Sequence, residues 1–170
     1  MRAAPSCGTA SHPTGRGVRP TTRPARAALA ALVVLTGALA GCASGVEVTS
    51  PAQATSAPCT AVAANWPEHV GGHARADVRD DPAGVAAWGD PAIIARCGVA
   101  PLAPTTQECL GVDDVDWVLE PLSDGTRFTS YGRSPAMEIL VPRTYAPEPL
   151  VLGAFTQAAR QLPATQRRCS

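Results

Sequence analysis

Residues 115–131, VDWVLEPLSDGTRFTSY, decide the fold. Residues 115–120 alternate so that Val115, Trp117 and Leu119 share one face, which is the period of a strand and not of a helix. Ser123-Asp124-Gly125 is a turn signal, and residues 126–131 return as the hairpin partner. Working outward, residues 92–99 (AIIARCGV) carry β-branched Ile93 and Ile94 and read as a further strand. Asp90-Pro91 starts that segment extended, because the residue before proline avoids the helical region. Residues 135–141 (PAMEILV) read as the fourth strand, with Met137, Ile139 and Val141 facing one way. Between these strands, residues 101–107 form a proline-bearing loop.

The flanks are expected to be helical. Residues 59–66 (CTAVAANW) suit a short helix, with Ser56 as a cap, Pro58 in the first turn and Pro67 as the stop. Cys59, Val62 and Trp66 then share a face. Residues 148–162 read as the main helix, with Pro149 in the first turn, a stripe of Leu152, Phe155, Ala159 and Leu162, and Pro163 as terminator. Residues 68–89 have no regular period, since Gly71-Gly72, Asp80-Asp81-Pro82 and Gly84 interrupt them. There, residues 85–88 are a helical turn or a strand end. The expected fold is therefore α+β: a small, mainly antiparallel sheet of three to four strands, one main C-terminal helix, a short N-terminal helix and two disulfides.

Ahead of this domain stands AALAALVVLTGALAGC at residues 27–42, preceded by five arginines and no acid in residues 1–26. A basic start, an apolar core and small residues at the end mark an export signal. The fourteen uncharged residues 27–40 would span about 21 Å as a helix, short of a bilayer core of ~30 Å. Leu39-Ala40-Gly41-Cys42 resembles the lipobox of bacterial lipoproteins, in which the cysteine is acylated and becomes the first mature residue. Ala38-Leu39-Ala40 offers ordinary signal peptidase an alternative cut. Cysteine parity favours the lipobox. Cys7 leaves with the signal, and if Cys42 carries lipid then Cys59, Cys97, Cys109 and Cys169 remain to pair. The expected division is a removed signal at 1–41, a lipidated Cys42 with a flexible tether at 42–57, and one extracytoplasmic domain at 58–170.

The whole chain balances 14 Arg against 14 Asp+Glu and has no Lys. Five of those arginines lie in the signal, so the remainder has 9 Arg against 14 acids, a net of −5. Such a surface is repelled by nucleic acid, which is excluded as a partner. An oxidising compartment makes the four remaining cysteines disulfides rather than metal ligands. Of the three possible connectivities, Cys97–Cys109 closes a short local loop and leaves Cys59–Cys169 to join the domain's ends.

Catalytic signatures are missing: there is no G-x-S-x-G, S-x-x-K, H-E-x-x-H, P-loop or G-x-G-x-x-G. His69 and His73 are spaced H-x₃-H, but Gly71-Gly72 argues against the single helical face that would bind metal. Asp113-Asp114-Val115-Asp116 lacks the closing Glu of an EF-hand and reads as a solvated turn. No cofactor is implied. One constellation has the composition of a recognition patch: Trp88, Asp90, Arg96, Asp116, Tyr131 and Arg133. Its bland alternative is an internal Arg–Asp network with ordinary core aromatics.

The lipobox, Cys59, Trp88-Gly89-Asp90-Pro91, Arg96-Cys97-Gly98-Val99, Val115-Asp116-Trp117, Tyr131-Gly132-Arg133-Ser134-Pro135-Ala136 and Cys169 together resemble a family of small actinobacterial lipoproteins catalogued as a domain of unknown function. The resemblance implies a lipid-anchored protein at the outer face of the cytoplasmic membrane, and it brings no catalytic or binding residues. The expected role is a non-enzymatic envelope accessory or binding module, held to the membrane at Cys42 and free to meet an envelope protein. A solute- or metal-binding lipoprotein is the alternative, and an envelope enzyme comes third.

Overall fold

A computed structural model describes residues 45–169. Eight antiparallel strands form one sheet: β1 (His69–Val70), β2 (His73–Ala76), β3 (Val85–Trp88), β4 (Ile93–Val99), β5 (Cys109–Val112), β6 (Val115–Pro121), β7 (Gly125–Tyr131) and β8 (Ala136–Pro142). Their spatial order is β1-β2-β3-β4-β8-β7-β6-β5. The sheet is thus two four-strand meanders joined where β4 pairs β8. Among the described residues helix is confined to α1 (Ala57–Ala63), α2 (Thr156–Ala159) and two 3₁₀ segments, Arg143–Tyr145 and Glu148–Phe155.

The α+β expectation of three to four strands is therefore corrected to a mostly β domain. The four long strands lie where alternation places them, and β6 pairs β7 from Asp116↔Tyr131 to Pro121↔Thr126. The others are two to four residues long, too short for a period to register. The expected main helix at 148–162 divides into a 3₁₀ segment and a single α turn. Gly153 within it weakens a continuous helix. Its apolar stripe nonetheless packs as expected, with Leu152, Phe155, Ala159 and Leu162 all buried.

One sheet face carries the core. Trp88, Ile93, Ala95, Cys97, Val115, Trp117, Phe128, Met137, Ile139 and Val141 meet Cys59, Val62 and Trp66 from α1 and its end, and Val151, Leu152, Phe155 and Ala158 from the C-terminal segment. Trp66, Trp88 and Phe155 form an edge-to-face triad with centroids 5.2–6.4 Å apart, a geometry the ring quadrupoles favour. Trp88 also donates its indole N–H to the Pro67 carbonyl at 3.0 Å.

Residues 45–57, expected as part of a flexible tether, lie along the sheet. Val46 bridges Val78, Gln53 N–H donates to Gly98 O at 3.1 Å, and Ala54 is buried. A bulge in β4 between Cys97 and Val99 makes room for this segment. Gly98 there has φ +107°, and a Cβ would come within 2.9 Å of Ala54 Cα. Only glycine fits that approach.

The four expected cysteines are all in disulfides, but the pairing is Cys59–Cys97 and Cys109–Cys169, not Cys97–Cys109 with Cys59–Cys169. The reason is sidedness. Cys97 is in register with Met137 on the core face, whereas Cys109 pairs Val118, Thr129 and Glu138 across the ladder on the opposite face. Two cysteines on opposite faces cannot close a local bridge. Cys97 instead meets α1, and the chain end returns past β7 to Cys109.

Candidate functional site

The six residues expected to form a patch are dispersed. Trp88 is in the core, with the Arg75 guanidinium 5.3 Å from its ring centroid. Asp90 is exposed in the turn after β3 and borders a cleft with Gly45, Val46 and Asp77. Arg96 is on the sheet face opposite the core and ion-pairs with Glu138. Asp116, Tyr131 and Arg133 do come together, beside the returning C-terminal segment.

Arg96 belongs to a ladder of charges across four strands. Glu138 Oε1 accepts from Arg96 on β4, and its Oε2 lies 3.3 Å from Arg127 Nε on β7. Arg127 Nη1 then donates to Glu120 Oε2 on β6 at 2.9 Å. The Glu138 side chain is only 9% exposed, and two guanidiniums flank it, as a buried polar group requires of its surroundings. For Arg96 the internal-network alternative is what the structure contains.

A different arrangement surrounds Arg133. Residues 162–169 run back over the β7–β8 connection: Ser134 N–H donates to Pro163 O at 3.1 Å and Thr165 N–H to Gly132 O at 2.7 Å. Arg133 Nη1 donates to Leu162 O at 2.9 Å, and Cys169 N–H to Asp116 Oδ2 at 3.0 Å. Arg167 Nη1 reaches Leu102 O at 2.8 Å, tying the 101–108 loop to the same segment. Burial, followed by the nearby Arg168 charge, holds Arg133 below the ordinary arginine value. Asp116 opposes that shift and Arg160 adds to it. Arginine charge thus concentrates at one end of a domain whose net charge is negative.

Between the loop and this segment opens a polar cleft of about 350 Å³, lined by Pro104, Thr105, Thr106, Gln107, Cys109, Tyr131, Arg168 and Cys169. Its walls are pinned by the Cys109–Cys169 bridge and the Arg167–Leu102 contact. Sequence reasoning reached Tyr131 and Arg133 but missed Arg168 and residues 105–107. No local pattern in a polar loop and a chain end shows that a disulfide brings them together.

The other candidates resolve as ordinary structure. Asp113-Asp114 is the two-residue turn between β5 and β6, with φ +47° and +68°, as a twisted hairpin requires. His69 and His73 lie on β1 and β2, and His73 stacks edge-on against Tyr145 at 4.9 Å. Among the described residues no three His, Cys, Asp or Glu side chains group to hold a metal ion.

Fold and site together define a small, disulfide-bridged antiparallel β domain with a polar cleft at one end. The chain belongs to the family described as "Protein of unknown function (DUF3515)", whose profile matches residues 25–166. That match agrees with the resemblance to a family of unknown function. No curated protein and no solved structure matches the chain.

Proposed function

We propose that this protein is a membrane-anchored extracytoplasmic lipoprotein, and that its domain is a non-enzymatic accessory or binding module at the outer face of the cytoplasmic membrane. Cys42 lies outside the described residues, so the reading rests on the sequence around it and on one structural observation. The bridges Cys59–Cys97 and Cys109–Cys169 use up every cysteine after Cys42, which leaves Cys42 outside both. A bridge-paired domain suits an oxidising compartment, and a cysteine outside both bridges that closes Leu39-Ala40-Gly41-Cys42 suits acylation.

The contacts of Gly45 and Val46 give the anchor a geometric consequence. Two residues, Ala43 and Ser44, separate Cys42 from Gly45, at most roughly 10 Å of extended chain. The edge carrying Glu47, Asp77 and Arg79 would be held close to the headgroups. Among the described residues no helix is long and apolar enough to cross a membrane; in this reading attachment is by lipid at Cys42.

Mass spectrometry of the native protein tests the anchor. A blocked, acylated Cys42 is expected, and Cys42→Ala should accumulate precursor or a form cut after Ala40. An unmodified Gly41 amino terminus on the native protein would overturn the reading. One acyl chain binds membranes marginally whereas two or three hold firmly, so the lipidated form should resist salt washing. The polar cleft at Tyr131 favours a solute-binding lipoprotein as the second reading.

A further inference from the structure

We infer that the cleft between the 104–107 loop and the Arg168–Cys169 segment is a binding site for a phosphoryl group carried on a small polar ligand or a lipid headgroup. The inference rests on reading the domain as a binding module and gives that module a ligand class.

Four observations carry it. First, the cleft is ringed by hydrogen-bond donors that the protein does not use. Arg168 spends Nη1 on Thr165 O and Arg167 O, at 2.9 and 2.7 Å, and its Nε and Nη2 bond to no described residue. Gln107 Nε2 and the Thr106 hydroxyl are equally uncommitted. Second, Tyr131 is only 9% exposed, yet its hydroxyl makes no hydrogen bond to any described residue. The hydroxyl is not enclosed by the protein; it opens into the cleft that Tyr131 lines and offers a further donor there.

Third, among the described residues no carboxylate lines the cleft. Glu108 adjoins the loop but is not part of the lining, and Asp116 is occupied by the Cys169 amide. Fourth, Arg168 and Arg160 both act on Arg133 with like charge, opposed by Asp116. Arg160 has a carboxylate partner in Asp114, whereas neither Arg133 nor Arg168 has one within ion-pair distance among the described residues. An anion seated here relieves that repulsion and takes the free donors. Phosphoryl oxygens, with more acceptor sites than one carboxylate, match a guanidinium fork flanked by hydroxyls and an amide.

Size agrees with chemistry. About 350 Å³ is at the low end of the ~300–1,000 Å³ usual for small-molecule sites, room for a phosphate with a glycerol- or sugar-sized substituent. The walls are covalently fixed on one side, so little ordering is needed on binding.

The test uses the purified protein with both disulfides intact. Inorganic phosphate is titrated in and backbone amide shifts are followed by NMR. Saturable shifts at Thr106, Gln107, Arg168 and Cys169 are expected. Arg168→Gln should weaken binding about tenfold or more, and Tyr131→Phe about threefold, with melting temperatures unchanged. Absence of saturable shifts, shifts centred elsewhere, or binding undiminished in Arg168→Gln overturns the site. Capture of another ligand or partner through a different surface would then leave the binding-module reading standing.

Two further arms separate the sources. Arg168 is challenged with phenylglyoxal in sn-glycerol 3-phosphate solution, and after reconstitution in phosphatidylglycerol vesicles against phosphatidylcholine vesicles. Protection by the soluble ester assigns a solute, and protection only by the anionic vesicles assigns a headgroup. Protection in neither arm overturns the proposal.

Discussion

Glu138 holds two arginines in place from a position almost closed to solvent, and the three residues do not contribute equally. Removing Arg96 leaves the carboxylate with Arg127, so Arg96→Ala should cost about 1–3 kcal/mol. Glu138→Ala strands two guanidiniums that are 26% and 33% exposed, and should cost about 2–4 kcal/mol after allowance for their hydration. Arg133→Ala removes one hydrogen bond to Leu162 O and one like charge from beside Arg168, so its net effect should stay within about 1 kcal/mol. Urea melts of the three variants check the order: Glu138 largest, Arg133 smallest. The sequence made Arg96 and Arg133 look equivalent, each beside a strand and near an aspartate. What separates them is register: Arg96↔Glu138 is a cross-strand pair, visible only once β4 is known to lie beside β8.

At the scale of elements, legibility followed length. β4, β6, β7 and β8, seven residues each, have enough alternation to announce both strand and face. The pairs β1–β2 and β2–β3 share two register positions each and are held by tertiary packing that no local pattern reports. The 148–162 segment misled because its apolar spacing fits a helical face, and a 3₁₀ turn buries nearly the same side chains. Gly153 marks the difference. Its added Cβ would meet nothing closer than Asp113 Oδ2 at 3.7 Å, and its φ is not positive. Gly153→Ala should therefore stabilise the domain by about 0.5–1 kcal/mol, seen as a rise of about 2–5 °C in Tm. Gly98→Ala is the opposite case. With φ +107° and Ala54 in the way, it should destabilise by about 2–4 kcal/mol and increase amide exchange across residues 50–56.

At the scale of the molecule, each meander with its flanking segment carries its own bridge: Cys59–Cys97 spans the first and Cys109–Cys169 the second, with sequence separations of 38 and 60. On chain-entropy grounds each is worth about 4 kcal/mol, a large part of the ~5–15 kcal/mol that holds a domain together. Replacing Cys59 and Cys97 by alanine should cost more than replacing Cys109 and Cys169, because both partners of the first bridge are fully buried and leave a cavity. Denaturant titration of the two double variants checks this. The bridges are also consecutive along the chain rather than nested, so no covalent link other than the backbone through residues 98–108 joins the two halves. A protease that nicks the exposed 103–108 stretch would turn one chain into two peptides, each with its own internal bridge, held together without a covalent link, chiefly by the β4–β8 ladder and the shared core. On a non-reducing denaturing gel that nick should release two fragments without any thiol. A nick at 77–84, inside the first loop, should leave the protein at its original size.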